Sequence, residues 1–130
     1  VIEHSSTVRV RYGETDQMGV AYHATHVLWF ETGRTELMRA AGLPYAELER
    51  RGILLLVTGL SCRYRAPALY DEEVRITTRV ARLGKASVRF EYLLFNPAGR
   101  LLAEGHTELA SVDRDKRPVR LPEDVVRKLS

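Results

Sequence analysis

The sequence predicts an α+β chain in which a five-stranded antiparallel sheet covers one long helix, and three observations carry that expectation. A single extended helix-forming stretch occupies residues 24–41. After Gly52 the apolar pattern changes to period 2 and keeps it for about sixty residues, as strands with one buried face do. The connections inside that region, Leu83-Gly84-Lys85 and Asn96-Pro97-Ala98-Gly99, are short enough for antiparallel hairpins.

Residues 7–12 (TVRVRY) alternate strictly, Val8, Val10 and Tyr12 against Arg9 and Arg11, and Gly13 ends that strand. Residues 13–25 hold turn formers without a sustained period and read as a loop. Residues 24–41 contain no proline, are rich in good helix formers, and stop at Gly42 with Pro44 just beyond. Val27, Leu28, Trp29 and Phe30 make the first half apolar nearly all round, which predicts a helix enclosed by other elements. Residues 45–51 form a short amphipathic turn. The strands then run over 53–66, with a bend near Gly59, and over 73–83, 86–95 and 100–112. Val74, Ile76, Thr78 and Val80, then Val88, Phe90, Tyr92 and Leu94, face inward, and neighbouring strands are expected to pair as one meander. Pro122 opens a short C-terminal helix that Glu123 and Asp124 favour electrostatically. The other sheet face is left with Leu93, Phe95, Leu102, Ala110 and Val112, and covering them predicts a homo-oligomer.

A chain of 130 residues, 45% apolar and 28% charged, is sized for one compact domain over 1–130. Its longest apolar runs, 53–57 and 27–30, fall far short of the ~20 residues that cross a bilayer, so no membrane partner is expected. The opening VIEHSSTVRVRY lacks the basic-then-apolar layout of a signal peptide, and the lone Cys62 forms no internal disulfide; both point to the cytoplasm. The net charge of +3 comes from 20 Lys and Arg against 17 Asp and Glu, spread along the chain and interleaved with acids. That pattern argues against nucleic acid, whose binders cluster their cations, and suits a phosphate-bearing small molecule. One Asn, one Gln and a preference for Glu over Asp suggest a heat-adapted source. No metal-ligand spacing and no G-x-S-x-G elbow occur, so neither a metal centre nor a Ser-His-Asp hydrolase is indicated.

Functional side chains are densest over residues 12–26, YGETDQMGVAYHATH, between a strand end and a helix start. Backbone N–H groups around Tyr22 to Ala24 have no partner within the helix and are suited to an oxyanion. Asp16 is then placed as nucleophile or as base for water, against the plainer reading of a helix-capping acid. Glu31 reads as a second acid or as the i+3 partner of Arg34. His26 reads as a core or interface residue, and Cys62 as a small buried hydrophobe.

The run from Tyr12 to Glu36 resembles the signature of the 4-hydroxybenzoyl-CoA thioesterase family, particularly its YbgC-like acyl-CoA thioesterase branch. Asp16, Gly19, the pair Tyr22-His23 and the series Phe30, Glu31, Arg34 and Glu36 carry the resemblance. It continues through Tyr64, Pro67, Ala68, Tyr70, Asp71 and Glu72. The resemblance implies a hot-dog fold, in which an antiparallel sheet wraps a long helix, and dimers or tetramers with sites between subunits. It implies hydrolysis of an acyl-CoA, with coenzyme A as part of the substrate and no separate cofactor. Asp16 matches the family's catalytic carboxylate, His23 positions water or substrate, Tyr22 stands beside them, and the N–H near Tyr22 or His23 polarises the thioester carbonyl. Glu14 stands where the family often has an Asp and receives no role. For substrate and coenzyme A binding the candidates are Gly19, Glu31, Arg63 and Lys85, the last matching a cationic position of the family. Arg82 joins them on charge grounds, with Arg65 beside Arg63. The same fold without catalysis is a CoA- or acyl-thioester-binding module, which saturates with ligand but never turns it over.

Overall fold

The structure is a computed structural model that describes residues 2–130. The elements in chain order are β1 (Glu3–Arg9), a 3-10 turn (Tyr12–Glu14), α1 (Thr25–Ala40), α2 (Tyr45–Arg50), β2 (Leu54–Tyr64), β3 (Glu73–Leu83), β4 (Ser87–Phe95), β5 (Leu101–Val112) and α3 (Glu123–Leu129). The strands form one antiparallel sheet in the order β1-β3-β4-β5-β2. No helix is long and apolar enough to cross a membrane among the described residues.

Period-2 alternation does what the sequence predicts over β3 and β4. Val74, Ile76, Thr78, Val80, Val88, Phe90, Tyr92 and Leu94 are all buried on the face that meets α1. Trp29, Phe30, Leu37 and Met38 supply the helix side of that core. Phe30 stacks flat on Tyr92, ring centroids 4.4 Å apart. Two glycines let the layers approach this closely. A Cβ at Gly33 would stand 2.3 Å from Thr78 Oγ1, and one at Gly105 would stand 2.1 Å from the Ser61 carbonyl oxygen and 2.8 Å from the Phe30 ring. Real Cβ atoms do not make such contacts, so the helix position depends on these two residues.

Four expectations need correction. β1 lies over Glu3–Arg9 rather than 7–12, because the Glu14 carboxylate takes the Arg11 N–H (2.8 Å) and folds the chain into the 3-10 turn. Val10 stays buried, but Tyr12 is 79% exposed. Helix α1 is not enclosed all round: Leu28 is 54% exposed and Glu31 is exposed on the side away from the sheet. The strands do not form one meander. β2 pairs with β5 instead of β3, so residues 65–72 cross from one edge of the sheet toward the other, and the bend near Gly59 is a register shift after Val57. Finally, the outer sheet face is charged rather than apolar. Leu102 and Val112 are buried within the chain, Phe95 lies under the Arg75 guanidinium, and Leu93 alone of the five is exposed. Around it stand the pairs Arg79–Glu91, Arg89–Glu108 and Arg65–Glu104. Exposed apolar side chains gather instead along β2, at Leu56, Val57, Leu60 and Tyr64, on the sheet edge that no strand among the described residues pairs.

Candidate active site

The loop before α1 is an ordered hairpin. Thr15 bridges Ala21, the Asp16 N–H donates to the Val20 carbonyl (2.9 Å), and the Gly19 N–H donates to the Asp16 carbonyl (3.0 Å). Gly19 sits at φ +78°, a conformation a side chain would resist, so this candidate residue shapes the turn. Asp16 Oδ1 accepts the Met18 N–H at 2.8 Å, while Oδ2 has no partner among the described residues. Asp16 therefore caps its own turn, not the helix, whose N-cap Ala24 has no side-chain cap. The hairpin is tied to the 65–72 crossover by the Ala21 N–H on the Ala68 carbonyl (2.8 Å) and by the Val20–Leu69 bridge.

The start of α1 narrows the choice of N–H donors. Tyr22 N–H is taken by the Glu14 carbonyl and Thr25 N–H by the Tyr22 carbonyl, both at 2.8 Å, and Val27 N–H reaches the Ala24 carbonyl at 3.2 Å. The Tyr22 N–H is thus not free to polarise a substrate. The His23 and Ala24 N–H groups have no acceptor among the described residues. Unpaired amides at a helix start favour negative charge in front of them.

The His23 carbonyl accepts the Tyr64 hydroxyl at 2.5 Å, with His26 Nδ1 at 3.3 Å. His26 is buried, edge-on to Tyr64 (4.8 Å) and tilted against Trp29 (5.1 Å). Burial lowers the His26 pKa below its ordinary value, more than its backbone hydrogen bonds raise it. Desolvation, then the neighbouring Cys62 thiol, push the Tyr64 phenol up to about 12, and burial likewise raises Cys62. Val20, Ala21, His23, His26, Tyr64 and residues 65–68 line a cleft of about 310 Å³.

The candidates of the first half of the chain converge only in part. His23 lines the cleft, and the Tyr22 ring, 48% exposed, lies 4.2 Å from the His23 ring. Asp16 sits in the adjoining hairpin, outside the lining. Glu31 makes no ion pair among the described residues, and Arg34 turns instead to the Tyr92 hydroxyl (3.4 Å), which also meets Thr107 Oγ1 at 2.6 Å. The predicted Glu31–Arg34 pair is therefore absent, because Arg34 lies on the sheet side of the helix and Glu31 on the exposed side.

The cationic candidates lie elsewhere. Arg63 alternates with Tyr64 along β2, so it faces the outer trough of about 610 Å³ with Ser61, Arg79, Glu91 and His106. Arg65 is held by Glu104 at 3.0 Å and Arg82 by Glu108 at 3.4 Å. Lys85 is exposed and has no acidic partner among the described residues. Both Arg82 and Lys85 stand at the far end of β3. That strand has 11 residues and spans roughly 33 Å at ~3.3 Å per residue, whereas the Asp16 hairpin lies near its first residue. One chain does not bring Lys85 to Asp16. Tyr64 and His26 also line the cleft, although neither stands out in the sequence as a candidate. The only signal for them was Tyr64 opening the Y-x-x-P step and His26 one turn after His23.

Comparison with known proteins agrees with this architecture. The profile described as the thioesterase-like superfamily matches residues 10–129. The putative acyl-CoA thioesterase YneP of Bacillus subtilis is 34% identical over 108 residues, 83% of this chain and 78% of that protein. The acyl-CoA thioester hydrolase YbgC of Escherichia coli O157:H7 is 32% identical over 120 residues, 92% of this chain and 90% of its own. The crystal structure of DHNA-CoA thioesterase from Staphylococcus aureus superposes with a TM-score of 0.90 at 35% identity, covering 93% of this chain and 82% of that one. A sheet of this order laid over one long helix is the hot-dog fold, and the chain belongs to the thioesterase-like superfamily.

Proposed function

We propose that this chain is an acyl-CoA thioesterase, cleaving R–CO–S–CoA with water to the free acid and coenzyme A. The observation that carries the reading is the free N–H pair of His23 and Ala24 at the start of α1, next to a hairpin that presents Asp16. The thioester oxygen docks on those N–H groups, which stabilise the negative charge that forms when the carbonyl is attacked. Asp16 Oδ2, unpartnered, is available for either of two roles. As base it takes a proton from water as the oxygen attacks. As nucleophile it forms a mixed anhydride, expels the thiolate, and leaves water to hydrolyse the anhydride. His23 positions the water or the substrate, and Tyr22 forms the wall beside it.

The functional unit of this proposal is a homo-oligomer with no separate cofactor. The free β2 edge, with Leu56, Val57, Leu60 and Tyr64 exposed, suits antiparallel pairing with β2 of a second copy. Such pairing sets the Leu54 end of one β2 beside the Tyr64 end of the other. The second copy then brings its 84–86 turn toward the Asp16 hairpin, so its cations meet coenzyme A phosphates there. The proposal includes one domain per chain, assembly of dimers into a tetramer, a reducing cytoplasm for the free Cys62 thiol, and a heat-adapted source, for which the surface ion pairs speak.

Asp16→Asn tests the mechanism: turnover of a panel of acyl-CoAs is expected to fall by two or more orders of magnitude, roughly, with the melting temperature unchanged. Near wild-type turnover in that variant removes Asp16 from the chemistry. Saturable CoA binding by the wild type without turnover of any acyl chain replaces the enzyme with a binding module.

A further inference from the structure

Among the described residues no backbone N–H satisfies the His23 carbonyl. Helix α1 begins at Thr25, and Val27, the residue whose N–H would reach His23 in a continued helix, donates to Ala24 instead. The partner of that carbonyl comes from 41 positions away in sequence, the Tyr64 hydroxyl at 2.5 Å. Tyr64 is the last residue of β2, where it pairs with Ala103 of β5, and the next residue, Arg65, donates its N–H to the Leu102 carbonyl at 2.8 Å. The hydroxyl is thus carried by the sheet, and His26 packs edge-on against its ring.

We propose that Tyr64 is a positioning residue for hydrolysis: by holding the His23 carbonyl it sets the direction of the free Ala24 N–H, one of the pair at the start of α1. This rests on the thioesterase reading of that N–H pair. The carbonyl of His23 and the N–H of Ala24 belong to one planar trans peptide and point in opposite directions, so fixing one fixes the other. A hydrogen bond on the carbonyl also polarises the N–H of the same peptide, strengthening it as a donor. Because the phenol is pushed up to about 12, it remains a donor across the neutral range. The other contact to this carbonyl, His26 Nδ1 at 3.3 Å, is longer and depends on the tautomer, so it does not replace Tyr64. The nearby Cys62 thiol and Arg65, whose guanidinium is occupied by Glu104, make no hydrogen bond to the His23 carbonyl.

Tyr64→Phe removes the donor and keeps the ring. The expected result is a fall in kcat of about tenfold or more with KM within about twofold, alike for short and long acyl chains, and an unchanged melting temperature. The Ala24 amide proton, followed by NMR, is expected to move upfield as its peptide loses polarisation. Tyr64→p-aminophenylalanine restores a donor at the same place and is expected to recover most of the lost kcat. Unchanged kcat in Tyr64→Phe, an unmoved Ala24 resonance, or a loss of activity that only tracks loss of folded protein overturns the proposal. Wild-type protein that turns over no acyl-CoA overturns the thioesterase reading instead, and the Ala24 resonance still decides what Tyr64 does to the peptide.

Discussion

Gly105→Ala is the sharpest test of how the sheet closes on α1. An added Cβ falls 2.1 Å from the Ser61 carbonyl oxygen, short of ordinary contact by about 1.3 Å, and 2.8 Å from two atoms of the Phe30 ring. The first obstacle is backbone. Ser61 lies in β2, beside the Cys62–Gly105 pair of the β2–β5 ladder, so relief requires the two strands to part. The second cannot retreat freely, since Phe30 is already stacked on Tyr92 at 4.4 Å. Overpacking costs about 1–3 kcal/mol, and each ladder hydrogen bond given up adds about 1 kcal/mol. A total of roughly 3–5 kcal/mol in a chain of this length lowers the melting temperature by about 10–20 °C. Calorimetry on the variant measures it, with Gly59→Ala as the control, because nothing lies within 4 Å of a Cβ there. Adding Phe30→Leu to Gly105→Ala is expected to recover only part of the loss, as the Ser61 oxygen remains. A Gly105→Ala protein melting within about 2 °C of wild type refutes the close approach of β2, β5 and Phe30.

Protonation of His26 sets a second expectation. Its pKa is lowered from 6.5 in the folded state by burial, so the unfolded chain binds the proton more readily. Stability is therefore full above pH 6.5 and is lost as the pH falls from there through the lowered folded value. Denaturant titrations over that window check it, and His26→Gln is expected to flatten the slope; an unchanged slope places the proton uptake elsewhere. At the β2 edge, Leu60→Glu is expected to dissociate the proposed oligomer in sedimentation and to depress turnover although Asp16 is untouched. Full activity in a dissociated monomer removes the second copy from the site.

Much of the architecture is legible in the amino-acid order because it is local. The alternation of Val74 to Val80 and of Val88 to Leu94 records which side of each strand is buried. Gly42 and Pro44 mark the end of the helix, and the run from Asp16 to His23 places the candidate site between a strand and a helix start. Which strand neighbours which is not recorded in that way. The period of 53–66 is the same whether it pairs with β3 or β5, and only the tertiary structure puts β2 at an edge and exposes Leu56, Val57 and Leu60. Leu102 and Val112 look exposed by alternation and are nonetheless buried in the fold, Leu102 where the β4–β5 register shifts. The separation of Lys85 from Asp16 is likewise a property of the folded sheet, since strand length and direction set it.

The same division runs through the site. Sequence by itself determined that Asp16, Gly19 and unpaired helix-start amides meet in one short segment, because those features follow from residues a few positions apart. Only the tertiary structure decided which amides are free. Tyr22 loses its N–H to Glu14, while the carbonyl of His23 is claimed by a tyrosine 41 residues away. A backbone donor or acceptor is the same group at every position of the chain. Whether it is free depends on what folding brings across from elsewhere.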